Sequence, residues 1–458
     1  MGRCFLLYII ILNNILYSKE INFVYHINYN YDSDSQDYYY KDATINNLGF
    51  SALAAYFNNK IKIETSLGYN IIHGSNNARS DFTPTKGLDW IRKDPGLGKS
   101  MLNYYVSDMK LEYGDSSKYF FLNKSSKHWG PGIRSLTISN KVPSFPHFGF
   151  KLPLNLNFVF EYFHGQLQSN IEDLNYNYYY SKGKAKQVNR NVAGHQLSIK
   201  LFKKTIITLS EIVIYSNRSL ELGYLLPFVP FFPIQNYLND IDNILINIDY
   251  EYEINKTKLI YTSFLMDEWS PPYTFSIKNH NWFGYQLGLD FSNNIINKDN
   301  LLIEFTWTDH RIYHHRFMVN DAYSWGYPLG FWAGPHAQEL YLNYNFPYYQ
   351  SQVQIEIYSV KRGEYTNVMR NLQYESNTYY KRFGDNSSIC DDCTGAIESK
   401  NKFSISIFKT INKKIKLNLK YSYIFWENAG FNPLYPVSDI DIPEVIKNSF
   451  SVNFNYIF

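Results

Sequence analysis

Apolar residues recur at every second position along much of this chain. In 244–253, Ile244, Ile246, Ile248, Tyr250 and Tyr252 alternate with Asn247, Asp249, Glu251 and Glu253. In 283–291, Phe283, Tyr285, Leu287, Leu289 and Phe291 are separated by Gly284, Gln286, Gly288 and Asp290. The last residues keep the rhythm: Phe450, Val452, Phe454, Tyr456 and Phe458, with Ser451, Asn453 and Asn455 between them. Strict alternation places one kind of residue on each face of a β-strand. A sandwich alternates too. A transmembrane barrel needs the same pattern, apolar toward lipid and polar toward a wet lumen, and it must close because an open edge in lipid leaves backbone groups unpaired.

The pattern predicts strands near 21–30, 47–57, 61–72, 101–113, 117–124, 133–140, 150–165, 193–201, 205–216, 244–252, 257–268, 281–292, 300–310, 338–346, 351–361, 401–409, 413–425 and 448–458. Short connections such as "GDSS", "FKKT" and "EINK" alternate with long ones at 73–100, 166–192, 217–243, 311–337 and 362–400. Short turns on one side and long loops on the other are the outer-membrane arrangement, and bacterial barrels have even strand numbers. The expected fold is all-β: a transmembrane antiparallel up-and-down barrel of about eighteen strands. The near-equal gaps at 125–132 and 141–149 are where this parity is weakest. The final strand must pair with the first, whose own apolar face is Ile21, Phe23, Tyr25, Ile27 and Tyr29.

Composition strengthens this picture. Aromatic residues make up 18% of the chain, with 43 Tyr and 33 Phe, far above the usual share. Aromatics suit a pleated surface, and Tyr suits an apolar–water boundary. The net charge of +3 gives no global field for nucleic acid, so none is expected as a partner. The opening "MGRCFLLYIIILNNILYSKE" sets Arg3 before a short apolar run and small Ser18 after it. It reads as a signal peptide over 1–18, with the barrel over 19–458. Cys390 and Cys393, in "SSICDDCTGA", could pair as a loop clip in an oxidising compartment.

Motifs for chemistry are sparse. "DPGLGKS" ends like a phosphate loop, but Lys93 stands where the leading glycine belongs. There is no GxSxG and no HExxH. No enzyme activity, cofactor or metal is expected. The cluster His310, Arg311, His314, His315 and Arg316 carries two arginines, which oppose a cation; it suits anions or sugars better. Residues 311–337 hold Tyr313, Tyr323, Trp325, Tyr327, Phe331 and Trp332 among Gly and Pro. Such rings can cover the C–H face of a sugar while Arg and Asn take hydroxyls. The same segment could instead fold inward, pack on itself and plug the lumen.

The most distinctive stretch is "KHWGPGIRSLTISNKVPSFPHFGFKL", 127–152. Gly130 and Gly132 flank Pro131, a tight-turn signature. A strand is expected at Ser135–Ser139, and the turn at Trp129 lies on the outer side or dips into the lumen. The stretch closely resembles the Wzi family of capsule-assembly outer-membrane proteins. His128, Trp129, Gly130, Pro131, Gly132, Ser135, Leu136, Ser139, Pro143 and Pro146 carry the match, with the family's "NAPPFP" reduced to "KVPSFP". Similar stretches follow at 210–228, 303–315 and 326–340. The resemblance implies an eighteen-stranded barrel of the bacterial outer membrane. It also implies non-enzymatic, lectin-like attachment of exported capsular or exopolysaccharide at the cell surface. Well-known members carry an N-terminal helical bundle; here a strand begins at Ile21 with no helical periodicity around it. The terminal Phe458 resembles the signal presented to the barrel-assembly machinery. The expected partners are therefore that machinery, outer-membrane lipid and the polysaccharide, and the barrel is expected to be a monomer. Trp129, Arg134, Arg311, His314, Trp325 and Trp332 are the candidate glycan contacts, since Trp and Arg give large area and a fixed fork. The rival reading is a porin or transporter for small solutes, with an outer-membrane hydrolase behind it.

Overall fold

The computed structural model describes residues 21–39, 42–57, 60–74, 79–89, 91–93, 101–174, 186–269, 272, 281–376, 381–390, 393–434 and 444–458. The expected signal segment 1–18 and the glycine–lysine–serine at 98–100 lie outside them. Among the described residues, eighteen antiparallel strands form the wall. They are β1 (Ile21–Asp32), β2 (Ile45–Phe57), β3 (Ile61–His73), β4 (Met101–Gly114), β5 (Tyr119–Ser125) and β6 (Phe145–Pro153). Next come β7 (Phe158–Glu172), β8 (Gln187–Leu201), β9 (Thr205–Ser216), β10 (Asn243–Asn255), β11 (Lys258–Glu268) and β12 (Trp282–Ser292). The ring ends with β13 (Asn300–Thr308), β14 (Ala337–Tyr348), β15 (Ser351–Gly363), β16 (Ile397–Asn412), β17 (Ile415–Glu427) and β18 (Val445–Ile457).

Each strand pairs with its neighbours in sequence, and β1 pairs with β18 from His26↔Ile457 to Asp32↔Ser451. The seam is locked at its long-loop end, where Ser449 donates to Asp32 at 2.6 Å and Lys447 meets Asp34 at 2.9 Å. At its other end the N–H of Phe458 donates to the carbonyl of Tyr25. Between His26 and Asp32 no backbone edge is left along this junction, as lipid demands.

The alternation sorts as expected. On β10, Ile248 and Tyr250 point outward at 37% and 39% exposure, while Asn247 and Asp249 point inward at 0% and 3%. On β16, Phe403, Ile405 and Ile407 are exposed and Lys402, Ser404 and Ser406 are buried in the lumen.

Two strand assignments are corrected. The segment 133–140 is not a wall strand. It belongs to one long connection, 126–144, in which a single bridge joins Trp129 to Ile138. And 150–165 is not one strand but the end of β6, a turn and the start of β7. The turn, 154–157, is built by the Asn155 side chain, which accepts the N–H of Asn157 at 2.8 Å and of Phe158 at 3.0 Å. It carries Leu154 and Leu156 in place of Gly or Pro, so an apolar pattern ran through it. The two errors cancel in the count. With both repaired, long and short connections alternate without exception around the barrel.

Candidate functional site: a plug across the lumen

The connection 126–144 turns into the barrel. So does most of 309–336, which links β13 to β14. Leu136, Ile138, Val142, Ile312, Tyr313, Phe331 and Trp332 are buried together with Phe82 from the β3–β4 connection. Their cluster also takes in Phe163 of β7, Ile212 of β9, Leu302 of β13, Tyr358 of β15 and Trp426 of β17. An apolar core therefore crosses a lumen that the strand pattern makes polar.

Polar wall residues anchor it. The Glu304 carboxylate accepts the N–H groups of Ile133 at 2.7 Å and Arg134 at 2.9 Å, and the Tyr261 hydroxyl at 2.6 Å. Glu161 accepts from Lys127 at 2.7 Å and from the Trp129 indole at 3.0 Å. Glu339 accepts from the Trp332 indole at 2.8 Å and pairs with Arg134 at 3.3 Å. The Arg134 guanidinium lies 4.3 Å above the Tyr341 ring. Backbone groups tie the two loops together: Ser139 N–H donates to Leu329 and the Tyr313 hydroxyl to Leu136, both at 2.7 Å.

This geometry explains the tight-turn signature. Gly130 has φ +116, a conformation that penalises any side chain with a Cβ. A Cβ on Gly132 would strike the Gln286 and Glu304 side chains. Ser135, Leu136, Ser139 and Pro143 are buried inside the plug, whereas Pro146 starts the outer face of β6. His128 keeps a buried ring nitrogen, Nδ1, without a protein partner.

The six residues singled out from sequence fall into two groups. Trp129, Arg311, His314 and Trp332 are buried, and the Arg134 side chain is only 10% exposed. They hold the plug. Arg134 and Trp332 meet on Glu339; Trp129 sits apart on Glu161. Arg311 forks onto Asp309, and His314 contacts Asp321 and Arg370. Trp325 is half-buried and lies apart from them. It stands at φ +56 in the turn of the small hairpin Tyr323–Ser324/Tyr327–Pro328 and donates its N–H to Gln168 near the end of β7. Sequence reading passed over Glu161, Glu304 and Glu339; each is an acid on an inward strand position, which the alternation does mark. Cys390 and Cys393 are joined by a disulfide in the β15–β16 connection.

Below the plug, toward the short turns, lies a polar basin of about 530 Å³. Lys110, Glu112, Lys151 and Glu251 line it, and His128 and Trp129 form part of its floor. By the usual orientation of such barrels this mouth faces the periplasm.

The loops carry a proton-sensitive joint. The His336 Nδ1 hydrogen bonds to the Glu364 carbonyl at 2.7 Å, and its Nε2 accepts the Phe383 N–H at 3.0 Å. The ring is therefore neutral, and burial pushes its pKa down to about 4. Burial likewise lowers His310 to about 3 and His315 to about 4. An unfolded histidine titrates near 6.5. Between that value and about 4 the opened loops bind protons that the packed loops refuse, so packing is stable above pH 6.5 and weakens as pH falls through this window. Limited proteolysis of 364–396 should accelerate on acidification from pH 7 to pH 4. In H336Q, whose amide keeps a donor and an acceptor but takes no proton there, the acceleration should shrink; an unchanged response would remove His336 from the joint.

A closed, eighteen-stranded antiparallel barrel with a lumen crossed by inward loops places this chain among outer-membrane barrels. No family model and no curated protein sequence matches it. Among solved structures it is similar to Wzi of Escherichia coli, an outer membrane protein involved in group 1 capsule assembly and described as a carbohydrate-binding β-barrel. That likeness covers 98% of this chain and 87% of Wzi, with a TM-score of 0.59 and 13% identity. OccAB2 of Acinetobacter baumannii matches over 96% of this chain and 97% of its own, at TM-score 0.48 and 9% identity. OccK7 of Pseudomonas aeruginosa matches over 96% and 98%, at TM-score 0.48 and 6% identity. The resemblance carried by 127–152 thus extends over nearly all of this chain, and at this identity it is a likeness of fold.

Proposed function

We propose that this protein is a non-enzymatic barrel of the outer membrane that holds exported capsular or exopolysaccharide at the cell surface. The plug carries this reading, because a lumen crossed by a packed core suits attachment better than free diffusion. The fold likeness to a carbohydrate-binding barrel supports it. The glycan would lie on the long-loop rim, where Trp325 keeps open surface and Tyr39 and Phe317 are exposed. Flat rings of this kind give area at low ordering cost. Trp129, Arg134, Arg311, His314 and Trp332 would support the rim from beneath.

The test uses the purified barrel and the surface polysaccharide of the same cells. Binding should be measurable and salt-tolerant, and Trp325→Ala should weaken it by roughly threefold to tenfold, the effect of one lost stacking ring of about 1 kcal/mol. Cells lacking the protein should shed polysaccharide into the medium. Absent binding together with unchanged retention would end this reading. A solute channel is the second reading, favoured by the charged lining of the lower basin. A steady current through the unmodified barrel in a planar bilayer would support the channel instead.

A further inference from the structure

The long connection between β9 and β10 does not stand above the barrel. It folds down over the outer face of the wall. Its short helix α1 (Phe231–Tyr237) and the turn before it pack Tyr224 and Phe231 onto Tyr162, Val213 and Tyr215, all outward-facing residues of β7 and β9. The strap is fastened midway down the wall, where the Glu211 carboxylate accepts the N–H groups of Phe231 at 2.7 Å and Phe232 at 2.9 Å. Glu211 also meets His195 at 3.0 Å.

The strap is built for hydrocarbon. Leu222, Leu226, Phe228, Phe232 and Tyr237 are exposed on it, continuous with the exposed apolar face of the wall. Pro227, Pro230 and Pro233 bring no N–H that would need a partner there. Between strap and wall runs a groove of about 820 Å³. Phe160, Leu209, Phe228, Phe232, Ile246 and Trp269 line it. Behind the groove lies Asp242, which has no exposed surface and takes the Tyr224 hydroxyl and Arg218.

We propose that this groove is a lipid site: it takes one acyl chain of a membrane lipid. The surrounding wall is the lipid-facing surface of the barrel, so a membrane lipid is the occupant the site adjoins. The volume falls in the range of sites that enclose a small ligand. The chain under the strap would differ from annular lipid by being enclosed between strap and wall. The inference needs the barrel in a bilayer and does not depend on the polysaccharide reading.

The full barrel, extracted in mild detergent and stripped of annular lipid, should retain one lipid per chain in native mass spectrometry. Leu209→Trp fills the groove from the wall side and should reduce the retained lipid to background while the barrel keeps its heat-modifiable mobility. Should that variant fail to fold, Ile246→Trp serves in its place. Retention unaffected by filling, or a second copy of the chain in place of a lipid, overturns the site.

Discussion

Replacing residues 130–137 by Asn-Gly should turn a quiet barrel into a steady pore. Trp129 and Ile138 already face each other across an antiparallel bridge. A two-residue turn of this type closes such a pair without strain. The wall should survive, because its backbone ladder closes through β1 and β18 and does not pass through the plug. What is lost is the segment that spans to the far wall: the N–H groups on Glu304, the Arg134 partner of Glu339, and the Leu136 carbonyl that receives Tyr313. The 309–336 connection loses its floor with it. Conductance should rise by roughly an order of magnitude, as the lumen of a barrel this wide is otherwise open to water. Glu304 and Glu339, freed of their partners, would line the opening and favour cations. Reversal potentials in a salt gradient read that selectivity. If the trimmed barrel folds and stays as quiet as the parent, this segment is not the obstruction.

The wall was legible because a strand in a lipid-immersed barrel has two chemically opposite faces and a period of two. Tyr250 beside Asp249 and Phe403 beside Lys402 declare inside and outside without any structure. The plug was not legible in the same way. "SLTIS" alternates like a wall strand, yet Ser135, Leu136, Thr137, Ile138 and Ser139 are all buried, so neither face meets lipid. The candidate site failed to resolve for a related reason. A Trp that stacks on sugar and a Trp that caps a carboxylate look identical in sequence. Only the partner distinguishes them, and Glu161 lies 32 residues from Trp129 along the chain. Trp325 differs because its turn conformation keeps it at the rim. The strap over the wall was hidden too: the apolar run at 224–234 sits in a connection that parity alone places outside the membrane.

Glu304→Ala should be the most damaging single change in the lumen. Its carboxylate receives four donors: Ile133 and Arg134 N–H, the Tyr261 hydroxyl and, at 3.2 Å, the Gln286 amide. Glu304 is 1% exposed, so water does not readily replace it. Each buried donor left without a partner costs about 1–3 kcal/mol, though the four share one acceptor and will not add simply. Breaking a buried charged partnership typically costs about 3–5 kcal/mol in all, and that is the loss expected for docking of the plug. Global unfolding should move less, because the strand ladder through Glu304 uses only backbone. The variant should therefore show frequent opening events in single-channel recordings and faster proteolysis within 126–144, with a near-normal heat-modifiable band. Glu304→Gln keeps one carbonyl acceptor and should fall between the two. Silence in the recordings of both variants would mean that the plug is held by its apolar core and not by the carboxylate beneath it.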